Sequence, residues 1–348
     1  MQGGEARIPV TLITGFLGSG KTSLLNRLLR EPAFSNSAVL VNEFGEVGID
    51  HQLIATARDR VLLLESGCLC CVLADSLRET LADLFNRRSL GSLPRFERVI
   101  IETSGLADPG PILQSLLKDP LIAPCYRFDA LLCVVDALHG TVQLRECAEA
   151  RAQVAVADRL LVSKLDICQG AMSTALLAEL ATLNPAADIH AIAAAPHSVA
   201  PLFMVTAPDA RAQPAARHAH AQHSSGIVSC SFRLEQPVSW AGVAAWTGHL
   251  VARYGDELWR CKALLRLNGR PGRVVVHGVK RIFDHCHDSS LQWDDHHSPI
   301  VFIGRGLDRT ALQSGLAWLQ APAGLQQSVS AEFPPWLDSS PPARALTP

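Results

Sequence analysis

The stretch "VTLITGFLGSGKTSLLNRLLR", residues 10–30, constrains this chain more than any other. An apolar run leads directly into G-x-x-x-x-G-K-T at residues 15–22, and a helical pattern follows. That order fits a loop wrapping a phosphate with backbone N–H groups at the start of a helix. Gly15, Gly18 and Gly20 let the backbone wrap, with Phe16, Leu17 and Ser19 between them and Ser23 just inside the helix. Lys21 is placed to reach the β- and γ-phosphates, and the Thr22 hydroxyl to bind Mg²⁺. A nucleoside triphosphate is therefore the expected ligand.

The rest of the first ~205 residues supports an α/β fold. "VTLIT", "AVLVN", "VLLLE", "RVIIE", "ALLCVVD" and "RLLVSK" each read as a strand buried on both faces. Helical patterns follow several of them, over residues 23–30, 75–87, 111–117 and 141–157. Strand–helix alternation implies a mostly parallel sheet with helices on both sides. The pattern changes near residue 206, where an Ala-, Pro- and His-rich linker spans 206–226. A smaller α+β domain with an antiparallel sheet is expected over 227–322, with "RVVVHGVKRIF" as one of its strands. The last segment, 323–348, is Pro-rich and reads as a tail without a core.

The length of 348 residues suits about two domains of ~150 residues. Net charge is -2 with no long basic run, which argues against nucleic acid as a partner. No uninterrupted apolar run of membrane-spanning length is present, so a cytoplasmic protein without a membrane partner is expected. Whether it forms a homo-oligomer stays open.

Two further segments extend the nucleotide site. "RVIIETSGLADP" ends a buried strand in Glu102, whose carboxylate would hold Mg²⁺ or its water across from the P-loop. Gly105, three residues on, is placed to offer its N–H to the γ-phosphate. "RLLVSKLD" differs by one residue from the guanine signature N-K-x-D. Asp166 would accept from the guanine N1 and N2 donors, Lys164 would cover the ring face, and Ser163 stands where Asn is usual. Lys21, Thr22 and Glu102 are the expected catalytic groups, with water as nucleophile and no side chain marked as general base.

Residues 65–75, "ESGCLCCVLAD", hold three cysteines within four positions. Packing does not require such a cluster, and in a reducing compartment it points to metal or redox chemistry. The other cysteines are scattered singly and read as buried small hydrophobes. Seven of the 13 histidines fall in two clusters: His218, His220 and His223, then His285, His287, His296 and His297. Metal capture and a solvated polar loop account for them equally well; the remaining histidines read as ordinary.

Taken in order, "TGFLGSGKTSLLNRLL", "NEFGEVGID", "GCLCC", "IETSGLADPGPI" and "SKLD" resemble the CobW family of P-loop GTPases, described as metal chaperones and metal-insertion proteins. "RCKALLRLNGRPGRVVVHGVKRIF" and "PIVFIGRGLD" resemble the family's second domain. The resemblance implies GTP hydrolysis coupled to delivery of a transition metal to a client apoprotein. Zinc is the metal implied first, with cobalt, nickel or iron in some branches. Thiolates do select Zn²⁺ and other borderline-soft metals. Cys68 and Cys70 would face one side of an extended segment, and Cys71 would turn in with a kink at Gly67. Three thiolates leave a fourth tetrahedral position, for which Glu46 in the switch-like loop 42–50 is the candidate. Some relatives carry an acid at the position of Val41. Two other functions compete: a nucleotide-gated metal buffer or sensor without delivery, and a P-loop kinase for a small molecule.

Overall fold

The computed structural model describes residues 7–41, 62–65, 73–168, 173–192, 197–203, 221–222, 226–269, 272–288 and 297–320. The first unit alternates β1 (Ile8–Thr14), α1 (Lys21–Leu29), β2 (Ser37–Val41), β3 (Leu62–Glu65), α2 (Leu73–Ser89), β4 (Arg98–Glu102) and α3 (Gly110–Lys118). It continues through β5 (Tyr126–Asp136), α4 (Gly140–Glu146), α5 (Ala148–Val156), β6 (Arg159–Ser163), α6 (Thr174–Leu183), β7 (Asp188–Ala191) and α7 (Ala200–Phe203). Its strands form a seven-stranded sheet in the order β3-β2-β4-β1-β5-β6-β7, and every pairing is parallel.

β1, β2, β4, β6 and the part of β5 from Ala130 onward bury both faces because helices cover both. Ile13, Val39, Ile100 and Leu132 pack with Leu24, Leu25 and Leu28 of α1 and Phe203 of α7. The alternate residues Leu12, Leu40, Ile101 and Leu131 pack against Leu81 of α2, Leu113 of α3, Val154 of α5 and Leu180 of α6. Side chains one apart on a strand point to opposite faces, so the unbroken apolar runs follow from the two helical layers.

The second unit comprises β8 (Ala221–Gln222), β9 (Ile227–Leu234), α8 (Trp240–Tyr254), β10 (Leu258–Leu265), β11 (Arg273–Val279), β12 (Ile282–Asp288), β13 (Ser298–Arg305) and α9 (Arg309–Gly315). Its six strands pair antiparallel in the order β12-β11-β10-β13-β9-β8. One face packs on Trp246 and Leu250 of α8 and Leu312 of α9. The other contributes Ile227, Val279, Val301 and Ile303 to the core of the first unit.

Three sequence expectations need correction. The helix expected over 141–157 is two helices, α4 and α5, because the backbone at Cys147 is extended (φ -106°, ψ 121°). The strand expected over "RVVVHGVKRIF" is a hairpin: Lys280 takes φ 54°, and β11 turns into β12 through Lys280–Arg281. The sheet also holds a seventh strand, β7, preceded by α6, where the sequence shows neither clearly.

A buried charge pair seals the two units together. Asp158 lies just ahead of β6, where its Oδ2 accepts from the Leu131 N–H at 2.9 Å. Its Oδ1 takes the Arg260 guanidinium from β10, with the Lys262 ammonium at 3.6 Å. Arg260 also reaches Nδ1 of His277 at 3.3 Å, and the His277 ring stands edge-on to Phe128 at 6.3 Å. Asp284 lies opposite His277 in the β11–β12 register. Burial, reinforced by the Arg260 charge, pushes the His277 imidazole down to about 3. Burial alone would raise the Asp158 carboxyl, but the charges of Arg260 and Lys262 outweigh it and hold it well below the usual carboxylate range.

Acid should therefore loosen the joint. Between an unfolded histidine value near ~6.5 and the folded value of about 3, the unfolded chain binds the extra proton. His277 thus gives its full contribution above ~6.5, and stability falls below that by up to about 1.4 kcal/mol per pH unit. Asp158 adds to the loss below about pH 4, where its unfolded carboxyl would protonate. Urea midpoints from pH 7.5 to 4.5 should slope downward in the wild type and be flatter in His277→Asn. Equal slopes in both proteins would contradict the assignment. Asp158→Ala, which strands Arg260 in the interior, should cost about 3–5 kcal/mol.

Candidate nucleotide and metal site

The P-loop leaves β1 at Gly15, whose φ of 143° and neighbours admit no side chain: a Cβ there would lie 2.3 Å from the Val134 carbonyl. Phe16 is half-buried, Leu17 and Gly18 are exposed, and Ser19 is buried beneath the loop. Lys21 lies inside it, donating from Nζ to the carbonyls of Gly15 at 2.9 Å and Phe16 at 3.3 Å. Gly20 precedes α1, and no side chain caps the helix. A helix N-terminus without a side-chain cap suits an anion. Ser23 is exposed on that first turn.

Thr22 Oγ1 donates to Glu102 Oε1 at 2.7 Å. Glu102 is 1% exposed, held in place because β4 pairs with both β1 and β2. A hydroxyl and a carboxylate meeting at the mouth of a P-loop are hard oxygen donors, which fits Mg²⁺. The segment after Glu102 folds back on the P-loop. Thr103 Oγ1 donates to Thr14 Oγ1 at 2.9 Å, and a Cβ on Gly105 would lie 2.7 Å from the Leu17 nitrogen. Gly105 is thus placed against the loop.

Ser163 ends β6 under the P-loop. Its hydroxyl lies 2.6 Å from the Ser19 carbonyl and 3.2 Å from that of Val135. Lys164 follows with φ 60°, and its Nζ donates to Asp136 Oδ2 at 2.7 Å. Asp166 is exposed on the same turn, open to a ligand.

Glu46, Cys68, Cys70 and Cys71 lie outside the described residues, as do His218, His220, His223 and His296. What the structure does fix is where their segments begin. Val41 ends β2 opposite both Glu65, the end of β3, and Glu102. The chains leading to loop 42–50 and to the cysteines therefore depart from the sheet edge that carries Glu102. The end of β3 is two strand spacings from Glu102, about 10 Å. His285 and His287 fall on β12 of the second unit. Val41 is buried.

Several partners were not legible as such. Gln153 of α5 is 0% exposed, and its Nε2 donates to the carbonyls of Gly105 at 3.1 Å and Ala107 at 3.0 Å. Asp108 accepts from Lys280 of the second unit at 3.1 Å. Asp136, at the end of β5, is buried beside Lys164 and His139. Burial would raise its carboxyl, yet hydrogen bonds from Lys164, His139 and the Leu138 and His139 N–H groups outweigh that and lower it. The one available signal was the acid closing "ALLCVVD". Burial pushes the Cys133 thiol up to about 12, in keeping with an inert packing residue.

The family model "CobW/HypB/UreG, nucleotide-binding domain" matches residues 9–191, and "Cobalamin synthesis protein cobW C-terminal domain" matches 227–319. The chain is 34% identical to the zinc chaperone YjiA of Escherichia coli, over 90% of this chain and 99% of that protein. It is 31% identical to the zinc chaperone CobW of Pseudomonas aeruginosa, over 89% and 91% of the two chains. The crystal structure of Zn(II)-bound YjiA GTPase superposes with a TM-score of 0.68 at 30% identity, covering 91% of this chain and 100% of that one.

The contact between Gly105 and Leu17 gives a direct test. Gly105→Ala puts a methyl within 2.8 Å of the Leu17 Cα and forces one backbone to shift. Turnover of GTP should fall by about 100-fold, as for a misplaced reacting group, with an unchanged far-ultraviolet dichroism spectrum. Near-normal turnover would show that the approach of the two segments is not needed.

Proposed function

The chain belongs to the CobW/HypB/UreG family, and from that premise we propose that it is a GTP-hydrolysing metallochaperone. It binds a divalent transition metal, zinc foremost, as cargo and delivers it to a client metalloprotein. The observation that carries this is the shared sheet edge: β2, β3 and β4 end in register, with Glu102 on β4 joined to Thr22. Loop 42–50 and the cysteine segment follow strands that end on that edge, which supports a cargo site close to the γ-phosphate.

In this reading the P-loop N–H groups and the α1 N-terminus bind the phosphates. Lys21 leaves its carbonyl partners to neutralise charge on the β- and γ-oxygens. Thr22 and Glu102 would hold Mg²⁺, which neutralises developing phosphate charge when bound. Gly105 offers its N–H to the γ-phosphate. Asp166 accepts from the guanine N1 and N2 donors, the Lys164 stem covers the ring, and Ser163 anchors the base segment to the loop beneath the phosphates. Cys68, Cys70, Cys71 and Glu46 form the cargo site. Loss of the γ-phosphate contacts releases the loop carrying Glu46 and loosens it.

Linkage makes this testable. If GTP tightens zinc, zinc must tighten GTP by the same factor, typically ~1–3 kcal/mol of coupling. Zinc titrations should be run with GTP, with GDP and without nucleotide, on wild type, C68S, C70S, C71S and E46A. Each serine variant should weaken zinc, and E46A should reduce the coupling more than it reduces GTP affinity. Zinc binding should also weaken as pH falls, because coordination needs deprotonated thiols. One zinc affinity in all three nucleotide states would rule out nucleotide-controlled delivery.

A further inference from the structure

Lys164 is one of two non-glycine residues with positive φ among the described residues. A lysine has no local means of compensating a left-handed backbone, so something outside the segment must hold it. Asp136, one strand away, holds the tip of the Lys164 side chain. Asp136 and Ser163 are register partners on β5 and β6, so the carboxylate stands beside the residue before Lys164. The Lys164 ammonium donates to Oδ2 at 2.7 Å. The carboxylate side chain is 2% exposed, against 31% for Lys164.

The other contacts show what Asp136 does not do. Its Oδ1 accepts from the Leu138 N–H at 2.8 Å and the His139 N–H at 3.3 Å. Its Oδ2 also lies 3.1 Å from His139 Nδ1. Both oxygens are engaged by the protein, so Asp136 is not itself placed to read a base. An ammonium tied down at its tip leaves only its methylene stem to offer a ligand. Untethered, a four-carbon chain on an exposed turn samples many rotamers, and a ligand must then order it.

We infer that Asp136 is a positioning residue for nucleotide recognition: it anchors the Lys164 ammonium so that the stem stands ready as one wall of the base site. This rests on the guanine-site reading above, with Lys164 and Asp166 at the base. Ser163, bonded to the Ser19 carbonyl, fixes the same segment from its other end. The base site is thus preset by two groups that touch no base, one from β5 and one from the P-loop.

The test is a double-mutant cycle with a kinetic split. GDP dissociation constants and GTP kcat and KM are measured for wild type, Asp136→Asn, Lys164→Met and the double variant, with Lys164→Ala as a control. Methionine keeps the stem and removes the charge that Asp136 holds. Asp136→Asn should weaken GDP and raise KM about tenfold, leaving kcat at saturation within about twofold. Lys164→Met should do the same, and the double variant should be no worse than either single. Additive losses would show that Asp136 acts independently of Lys164 and would overturn the inference. So would a drop in kcat at unchanged KM, the mark of a merely structural loss of folded enzyme. If Lys164→Ala weakens GDP while Asp136→Asn does not, the inference fails and the base site stands. If Lys164→Ala leaves GDP affinity intact, the base-site reading itself fails.

Discussion

The hydrogen bond from Thr22 to Glu102 closes the nucleotide site, and the rest of the arrangement depends on its being possible. It spans 80 residues of sequence, yet the two groups meet at 2.7 Å. The parallel register sets this up. Ile13 of β1 pairs with Glu102 of β4, so the loop leaving β1 and the carboxylate ending β4 emerge together. α1 then begins beside them with its first turn uncapped. Parallel strands collect their C-terminal ends on one edge, which is why ligands of such sheets bind there. A slip of one residue in β4 would turn the carboxylate to the other face.

Helix α5 extends that constraint to the second unit. On one side Gln153 holds the carbonyls of Gly105 and Ala107, and on another the helix packs against β10 and β13. The turn after α5 carries Asp158, which takes Arg260. A buried pair of this kind adds little net stability over an apolar contact of equal volume, but breaking it is expensive. Its effect is to fix one relative placement of the two sheets, because the guanidinium has no other carboxylate within reach among the described residues.

Much of this was legible in the sequence, for physical reasons. The P-loop and the acid ending "RVIIE" follow from local backbone demands and from strands buried on both faces. What was not legible depends on distant partners or weak local signals. β7, "DIHA", is a half-buried edge strand with no apolar run. The break between α4 and α5 falls at Cys147, without glycine or proline to mark it. The β11–β12 turn uses Lys280–Arg281 rather than Asn-Gly, so no turn signal appears. His277 reads as ordinary until Arg260 and Phe128 surround it. Asp136 and Gln153 are plain in sequence because their targets, an ammonium and two carbonyls, come from other elements.

The two strained lysines show how far the tertiary structure dictates local conformation. Lys164 and Lys280, both left-handed, each place the ammonium on an aspartate from another element: Asp136 for one, Asp108 for the other. Asp108 also caps its own turn, accepting from the Gly110 N–H at 2.8 Å. It lies in the segment that begins at Glu102, folds Gly105 against Leu17 and is held midway by Gln153. One short stretch therefore touches the P-loop, the shared helix and the hairpin of the second unit. Displacing its nucleotide end strains two buried hydrogen bonds and a salt bridge further along, and β12 begins just beyond that hairpin turn. Close-packed interiors transmit such displacements because they cannot absorb them by loosening.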